Sequence, residues 1–263
     1  MTPAVAFFNQ KGGTAKTTST LNVGAAMAEQ GLRVLAFDLD PQASLTMALG
    51  IDVQSLPLSV YDLLVDEAVM LAEVAQPTRI PGFDLVPSHP DLAAAELELL
   101  SELERERKLS LKLRASQPLP YDMVLIDSPP ALNILSINIL VAADTLVIPI
   151  EPHPLSLMVL RRLFETVNRV RRLNPRLEVL GFLPTKVHHS SRLAADMLAT
   201  LREQVRAVQK EQRCQARQER KREKRSSDAS PGSCRARIEE VLLATEEERG
   251  APDFTLAAEA AYD

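Results

Sequence analysis

The chain has 263 residues, 46% of them hydrophobic, enough to bury one substantial core in a single α/β domain. A formal net charge of −5 excludes a protein that coats nucleic acid through its overall charge, so any such contact has to be regional. The two cysteines, Cys214 and Cys234, both fall in a polar tail, which excludes a disulfide framework and a zinc site and fits a reducing compartment.

The N-terminus, Met-Thr-Pro-Ala-Val-Ala-Phe-Phe, lacks the basic start and cleavage site of a signal peptide, so export is not expected. Short apolar runs then alternate with longer helical patterns as far as Leu201, the signature of strand-helix-strand crossovers. The first run predicts a strand over 4–8. It leads into Lys11-Gly12-Gly13-Thr14-Ala15-Lys16-Thr17-Thr18, which opens a helix over 17–30 stopped by Gly31. A small-residue turn between a buried strand and a helix is the context of a phosphate-binding loop. Its successive N–H groups can point at phosphate oxygens, and the helix N-terminus adds partial positive charge. In that pattern Lys16 reaches the β- and γ-phosphates and the Thr17 hydroxyl ligates Mg²⁺. Ala15 stands where the usual pattern has Gly, and its fit depends on whether that position needs a positive φ.

A second strand, predicted over 34–38, ends in Asp38-Leu39-Asp40-Pro41-Gln42. Ligands of open α/β sheets sit at the carboxyl ends of strands, so these carboxylates are expected to face the loop. Asp40 is the candidate to orient the attacking water and Asp38 to assist the metal shell, although Asp and Pro also simply end strands in turns. A strand over 83–86 follows, then a helical pattern over 91–115. On the latter, Glu96, Glu98, Glu102, Glu104 and Glu106 with Arg105, Arg107 and Lys108 read as a solvated, self-paired face. The run Tyr121-Asp122-Met123-Val124-Leu125-Ile126-Asp127-Ser128-Pro129-Pro130 predicts a strand over 123–127 that delivers Asp127 to the same sheet edge, the place of a magnesium-holding carboxylate.

A helix over 133–142, a strand over 145–150, a helix over 155–173, a strand over 179–183 and a helix over 191–208 complete the pattern. Between Ile134 and Ile150 the apolar run is interrupted by Asn138, Asp144 and Pro149, short of the ~20 residues a membrane span needs, so a soluble protein is expected. The fold expected is α/β, a doubly wound, mainly parallel sheet flanked by helices, over residues 1–205. From Arg206 the apolar spacing disappears, and residues 206–263 read as a divergent polar tail with a flexible linker over 226–233. His188 and His189 are adjacent and have no third ligand at a useful spacing, so no metal site is expected there.

Three blocks, Phe8-Asn9-Gln10 with the loop through Thr18, Asp38-Leu39-Asp40-Pro41-Gln42 and Ile126-Asp127-Ser128-Pro129-Pro130-Ala131-Leu132, together resemble the deviant Walker A ATPases of the ParA and Soj group, within the ParA/MinD superfamily. The resemblance covers roughly the first 200 residues, well beyond a chance motif match. It implies an ATPase with ATP and Mg²⁺ as cofactors, acting in chromosome or plasmid partition from a cytoplasmic, nucleoid-associated location. It also implies an ATP-dependent homodimer that binds DNA without sequence preference and is stimulated by a ParB-type partner. Lys11 takes its role from the resemblance: it reaches across the dimer to the partner's phosphates, with Gly12 where the second subunit approaches. Arg192 resembles a family arginine that contacts DNA.

The chain departs from that family after the helix over 191–208. The expected further strand, the adenine-contacting proline loop, a second DNA-contacting arginine and a closing helix are not legible. In their place is Arg213-Cys214-Gln215-Ala216-Arg217-Gln218-Glu219-Arg220-Lys221-Arg222-Glu223-Lys224-Arg225. This run fits a basic arm on a phosphate backbone or a solvated tail, and its interspersed acids and lack of aromatics favour the tail. Recombination or a frame change is a further reading of the abrupt switch. Rival functions are a MinD-like cargo-positioning ATPase, for which no apolar stripe of a membrane helix is visible, and a catalytically impaired binding protein of the same fold. A metal-cluster relative on this scaffold is disfavoured by where the cysteines fall.

Overall fold

The computed structural model describes residues 1–187, together with 196, 198–203, 206, 207 and 210. Arg192, the histidine pair, the basic run over 213–225 and the linker over 226–233 lie outside the described residues, as does half of the helix expected over 191–208.

Six strands form where the apolar runs predict them: β1 (Ala4–Phe7), β2 (Val34–Asp38), β4 (Phe83–Val86), β5 (Met123–Asp127), β6 (Thr145–Ile150) and β7 (Glu178–Pro184). A seventh, β3 (Gln76–Pro77), pairs antiparallel with β4 at the sheet edge. It is too short for an alternation signal, and its proline is tolerated because an edge strand has one side without ladder partners. The order is β3-β4-β2-β5-β1-β6-β7, with every pair but the first parallel. The expected doubly wound sheet is therefore present, with β1 near its centre.

Alternate residues of the central strands feed two different cores. Ala4, Ala6, Leu35, Phe37, Val124 and Ile126 pack on one face, and Val5, Phe7, Val34, Ala36, Met123 and Leu125 on the other. Both sets are apolar because helices cover both faces, which is why these strands read as continuous rather than alternating runs. The second face is covered by α1 (Lys16–Glu29) and α2 (Ser44–Ala48), through Met27 and Leu45. The first is covered by α3 (Val60–Val65), α4 (Leu71–Val74), α5 (Leu92–Glu98), α6 (Lys108–Ala115), α7 (Ile134–Ala142) and α8 (Pro154–Val170).

The sequence pattern misses three short helices, α2 to α4, since one or two turns carry too few positions to show a period. It also predicts one helix over 91–115 where the structure has two. Between α5 and α6 the backbone turns extended at Glu102 (ψ 144°) and left-handed at Glu104 (φ 52°). The break is sealed by Asn138 of α7, a fully buried side chain that accepts from the Leu109 N–H at 3.1 Å and donates to the Arg105 carbonyl at 2.6 Å. A buried polar side chain needs such partners, so Asn138 and the interrupted helix require each other.

Candidate nucleotide site

Register places the functional side chains. Phe7 of β1 pairs with Asp127 of β5, and Asp127 pairs with Asp38 of β2, so the loop leaving β1 starts level with both carboxylates. The loop then turns back over the sheet edge using two left-handed residues, Gly13 (φ 70°) and Ala15 (φ 60°). The position of Ala15 does require positive φ. A residue with a Cβ held there costs about 1–2 kcal/mol, so the alanine stores strain at the entrance to α1.

The loop is tied down from several directions. Asn9, buried, donates to the Pro149 carbonyl at 2.7 Å and accepts from the Lys11 N–H at 3.0 Å. Thr14 donates its hydroxyl to the Lys11 carbonyl at 3.3 Å, and Thr185, just beyond β7, donates to the Thr14 carbonyl at 3.2 Å. Lys16 opens α1, is buried, and has its Nζ 3.4 Å from the Lys11 carbonyl. Burial lowers its pKa, while Asp127 and Asp40, both within electrostatic reach, act to raise it. Gly12, Gly13 and Thr18 are exposed along the loop, Gly12 beside Pro130.

Thr17 donates its hydroxyl to Asp127 at 2.6 Å, linking the first turn of α1 to the end of β5. Asp127 is fully buried; burial, then the neighbouring Asp38, pushes its carboxyl up to about 8, against the opposing Thr17 bond and Lys16. Asp38 is also fully buried, and burial pushes it up to about 6 in spite of donors from Thr46 and Asp40. The Thr46 N–H and hydroxyl reach Asp38 at 2.9 and 2.8 Å, and the Asp40 N–H reaches it at 3.1 Å. Asp38 thereby shapes the turn that presents Asp40, whose own carboxylate accepts from the Gln42 N–H at 3.0 Å. Ser88 fixes the turn from below by donating to the Asp40 carbonyl at 2.7 Å.

Two carboxyls this deep carry a standing cost when both ionise, and a divalent cation would relieve it. Among the described residues no three His, Cys, Asp or Glu side chains are grouped to enclose a metal by themselves. The Thr17 hydroxyl and Asp127 carboxylate, with Asp38 and Asp40 near, are hard oxygen donors. Such a sparse set suits Mg²⁺, which keeps waters and takes phosphate oxygens as its remaining ligands.

Lys11 forms an ion pair with Glu151, just past β6, at 3.0 Å, and this interaction holds the Glu151 carboxyl below its usual range. Sequence reasoning missed Glu151, Thr46 and Ser88, and named Asn9 only within the first matching block, without a role. Glu151 had a readable signal, a charged residue directly after an apolar strand on the edge that carries the loop; Thr46 and Ser88 have none.

The AAA domain family matches residues 2–179. The chromosome partitioning protein ParA of Caulobacter vibrioides is 38% identical over 200 residues, covering 75% of this chain and 74% of that protein. The sporulation initiation inhibitor protein Soj of Bacillus subtilis is 37% identical over 203 residues, covering 77% of this chain and 79% of its own. An uncharacterized protein of Mycobacterium tuberculosis is 44% identical over 185 residues, 69% of this chain, and the match spans only 57% of its length. Among solved structures, cobyrinic acid a,c-diamide synthase from Mycobacterium smegmatis with bound ADP and magnesium superposes with a TM-score of 0.73 at 38% identity, over 77% of this chain and 82% of that one. With its loop, its two acidic strand ends and these relatives in agreement, the chain belongs to the ParA/MinD family of P-loop ATPases.

Proposed function

We propose that this chain binds Mg-ATP at the loop of residues 11–18 and hydrolyses it in a DNA-partition cycle. The observation that carries the reading is the 2.6 Å bond between Thr17 and the buried Asp127, set level with Asp38 by strand register. The loop N–H groups and Lys16 hold the phosphates, and Lys16 neutralises charge developing during transfer. Thr17 and Asp127 hold the metal, with Asp38 behind them. Bound magnesium supplies charge neutralisation at the terminal phosphates and a template for their orientation. Asp40 orients the attacking water and accepts its proton.

In the same proposal, ATP closes a homodimer in which Lys11 leaves Glu151 and reaches the partner's phosphates, as an arginine finger does elsewhere. That dimer binds nucleoid DNA without sequence preference, Arg192 contributing, and a ParB-type partner stimulates turnover in the cytoplasm. The support is the family relationship to ParA and Soj over three quarters of the chain.

The test is ATP turnover and nucleotide binding by the purified chain, with and without DNA. Lys16→Ala is expected to abolish nucleotide binding, and Asp40→Ala to keep binding while losing turnover. Equal turnover in all three proteins refutes the reading. Turnover that ignores DNA and instead needs a carboxylate and an amine donor would move the chain toward synthase chemistry.

A further inference from the structure

Asp38, Asp40 and Asp127 stand at the ends of β2 and β5, all on one side of β1. A nucleotide whose terminal phosphates lie over the loop and face these carboxylates has to extend its other end across the ends of β6 and β7, outside the sheet edge where such ligands sit. Lys186 stands on that side, two residues beyond β7. Its ammonium lies 3.8 Å from the point that a Cβ on Gly13 would occupy, so the cation overhangs the loop where the glycine leaves it bare.

The placement of Lys186 is built by the backbone. Thr185 donates its N–H to the Ile150 carbonyl at 2.9 Å and its hydroxyl to the Thr14 carbonyl at 3.2 Å, which ties the end of β7 to both β6 and the loop. Lys186 itself takes φ 54°, a left-handed conformation that costs a residue with a Cβ about 1–2 kcal/mol. That turn carries an exposed side chain toward the loop, close enough to Glu151 to act on its carboxylate alongside Lys11. Three lysines therefore surround one anion-binding loop: Lys16 beneath it, Lys11 within it and Lys186 above it.

We propose that Lys186 is a nucleotide-binding residue of this chain, meeting the nucleotide from the α-phosphate and nucleoside side, opposite the carboxylates. The inference rests on the loop being a nucleotide site. Because the contact lies away from the terminal phosphate, it is made equally with ATP and ADP, and equal binding of ground and transition states leaves the chemical step alone.

The variant Lys186→Met keeps the aliphatic stem and removes the charge, and Lys186→Arg keeps the charge. Binding of Mg-ADP and of a non-hydrolysable Mg-ATP analogue would be measured by calorimetry, and turnover as a function of ATP. Lys186→Met is expected to weaken both nucleotides by the same factor, about 5–10-fold, the scale of one partly solvated charge-assisted hydrogen bond. KM for ATP rises with kcat unchanged, and Lys186→Arg restores most of the loss. Wild-type affinity for both nucleotides in Lys186→Met overturns the inference. So does a loss confined to ATP, or a fall in kcat with affinity intact, since either moves the side chain to the terminal phosphate. A wild-type chain that binds neither nucleotide overturns the nucleotide site itself, a result distinct from a silent Lys186→Met.

Discussion

Replacing Asp127 by Asn should stabilise the ligand-free protein while removing its response to magnesium. The asparagine is isosteric and can keep both local bonds: its oxygen can accept from the Ser128 N–H, now 3.0 Å from the carboxylate, and its amide can donate to Thr17. What it removes is a carboxyl pushed up to about 8 by burial and by Asp38. A carboxyl raised in the folded state above its unfolded value of about 3.9 binds its proton more tightly when folded, so stability falls as pH rises between those two values. Four units at about 1.36 kcal/mol each set the single-site limit. Asp38 shares the titration, so half of that limit, about 2–3 kcal/mol, is the working figure. For a domain of this size that is roughly 4–12 °C in Tm. Thermal denaturation from about pH 5 to about pH 8.5 should show the gap between the two proteins smallest at the acid end and widening as pH rises, with the variant above wild type at the alkaline end. With Mg-ADP the order should reverse at the alkaline end, because only the wild type gains from metal. A variant less stable than wild type in alkaline, metal-free buffer, or a difference independent of pH, would refute the argument.

Two further substitutions test the scaffold. Ala15→Gly releases the left-handed strain at φ 60° but adds chain entropy to the unfolded state, so Tm should hold or rise by up to about 1 kcal/mol equivalent, with nucleotide affinity kept. Ala15→Val, β-branched at the same φ, should lower Tm and loosen nucleotide binding. Gly24 faces the buried ring of Phe83 across the gap between α1 and β4, and a methyl there meets Phe83 side-chain atoms well inside contact distance. Gly24→Ala should therefore cost about 1–3 kcal/mol in denaturant titration, and Gly24→Ala combined with Phe83→Leu should recover part of it if the clash is the cause.

Much of the site could be read from residue order. A parallel sheet buried on both faces makes each strand a continuous apolar run, so the strand ends were legible, and with them the edge that carries Asp38, Asp40 and Asp127. The phosphate loop is a local motif whose parts lie within eight residues, and its backbone geometry is dictated by small side chains close in sequence. The helix over 91–115 misled for the converse reason. Its composition suits a helix throughout, and the break near Glu104 is held by Asn138, which arrives from another helix 33 residues away along the chain from Arg105.

By itself the sequence determined the order of the six longer strands and of most of the longer helices, the small-residue loop after the first strand, and the carboxylates at the neighbouring strand ends, because those are set by periodicity and by adjacency along the chain. Tertiary structure alone decided that Ala15 is left-handed, that Lys11 pairs with Glu151 across 140 positions, that Asp127 and Asp38 lie in register and fully buried, and that Lys186 overhangs Gly13. Those facts depend on which groups the folded sheet brings within a few ångströms and on how much water it removes from between them, and neither quantity has a local signature in the order of residues.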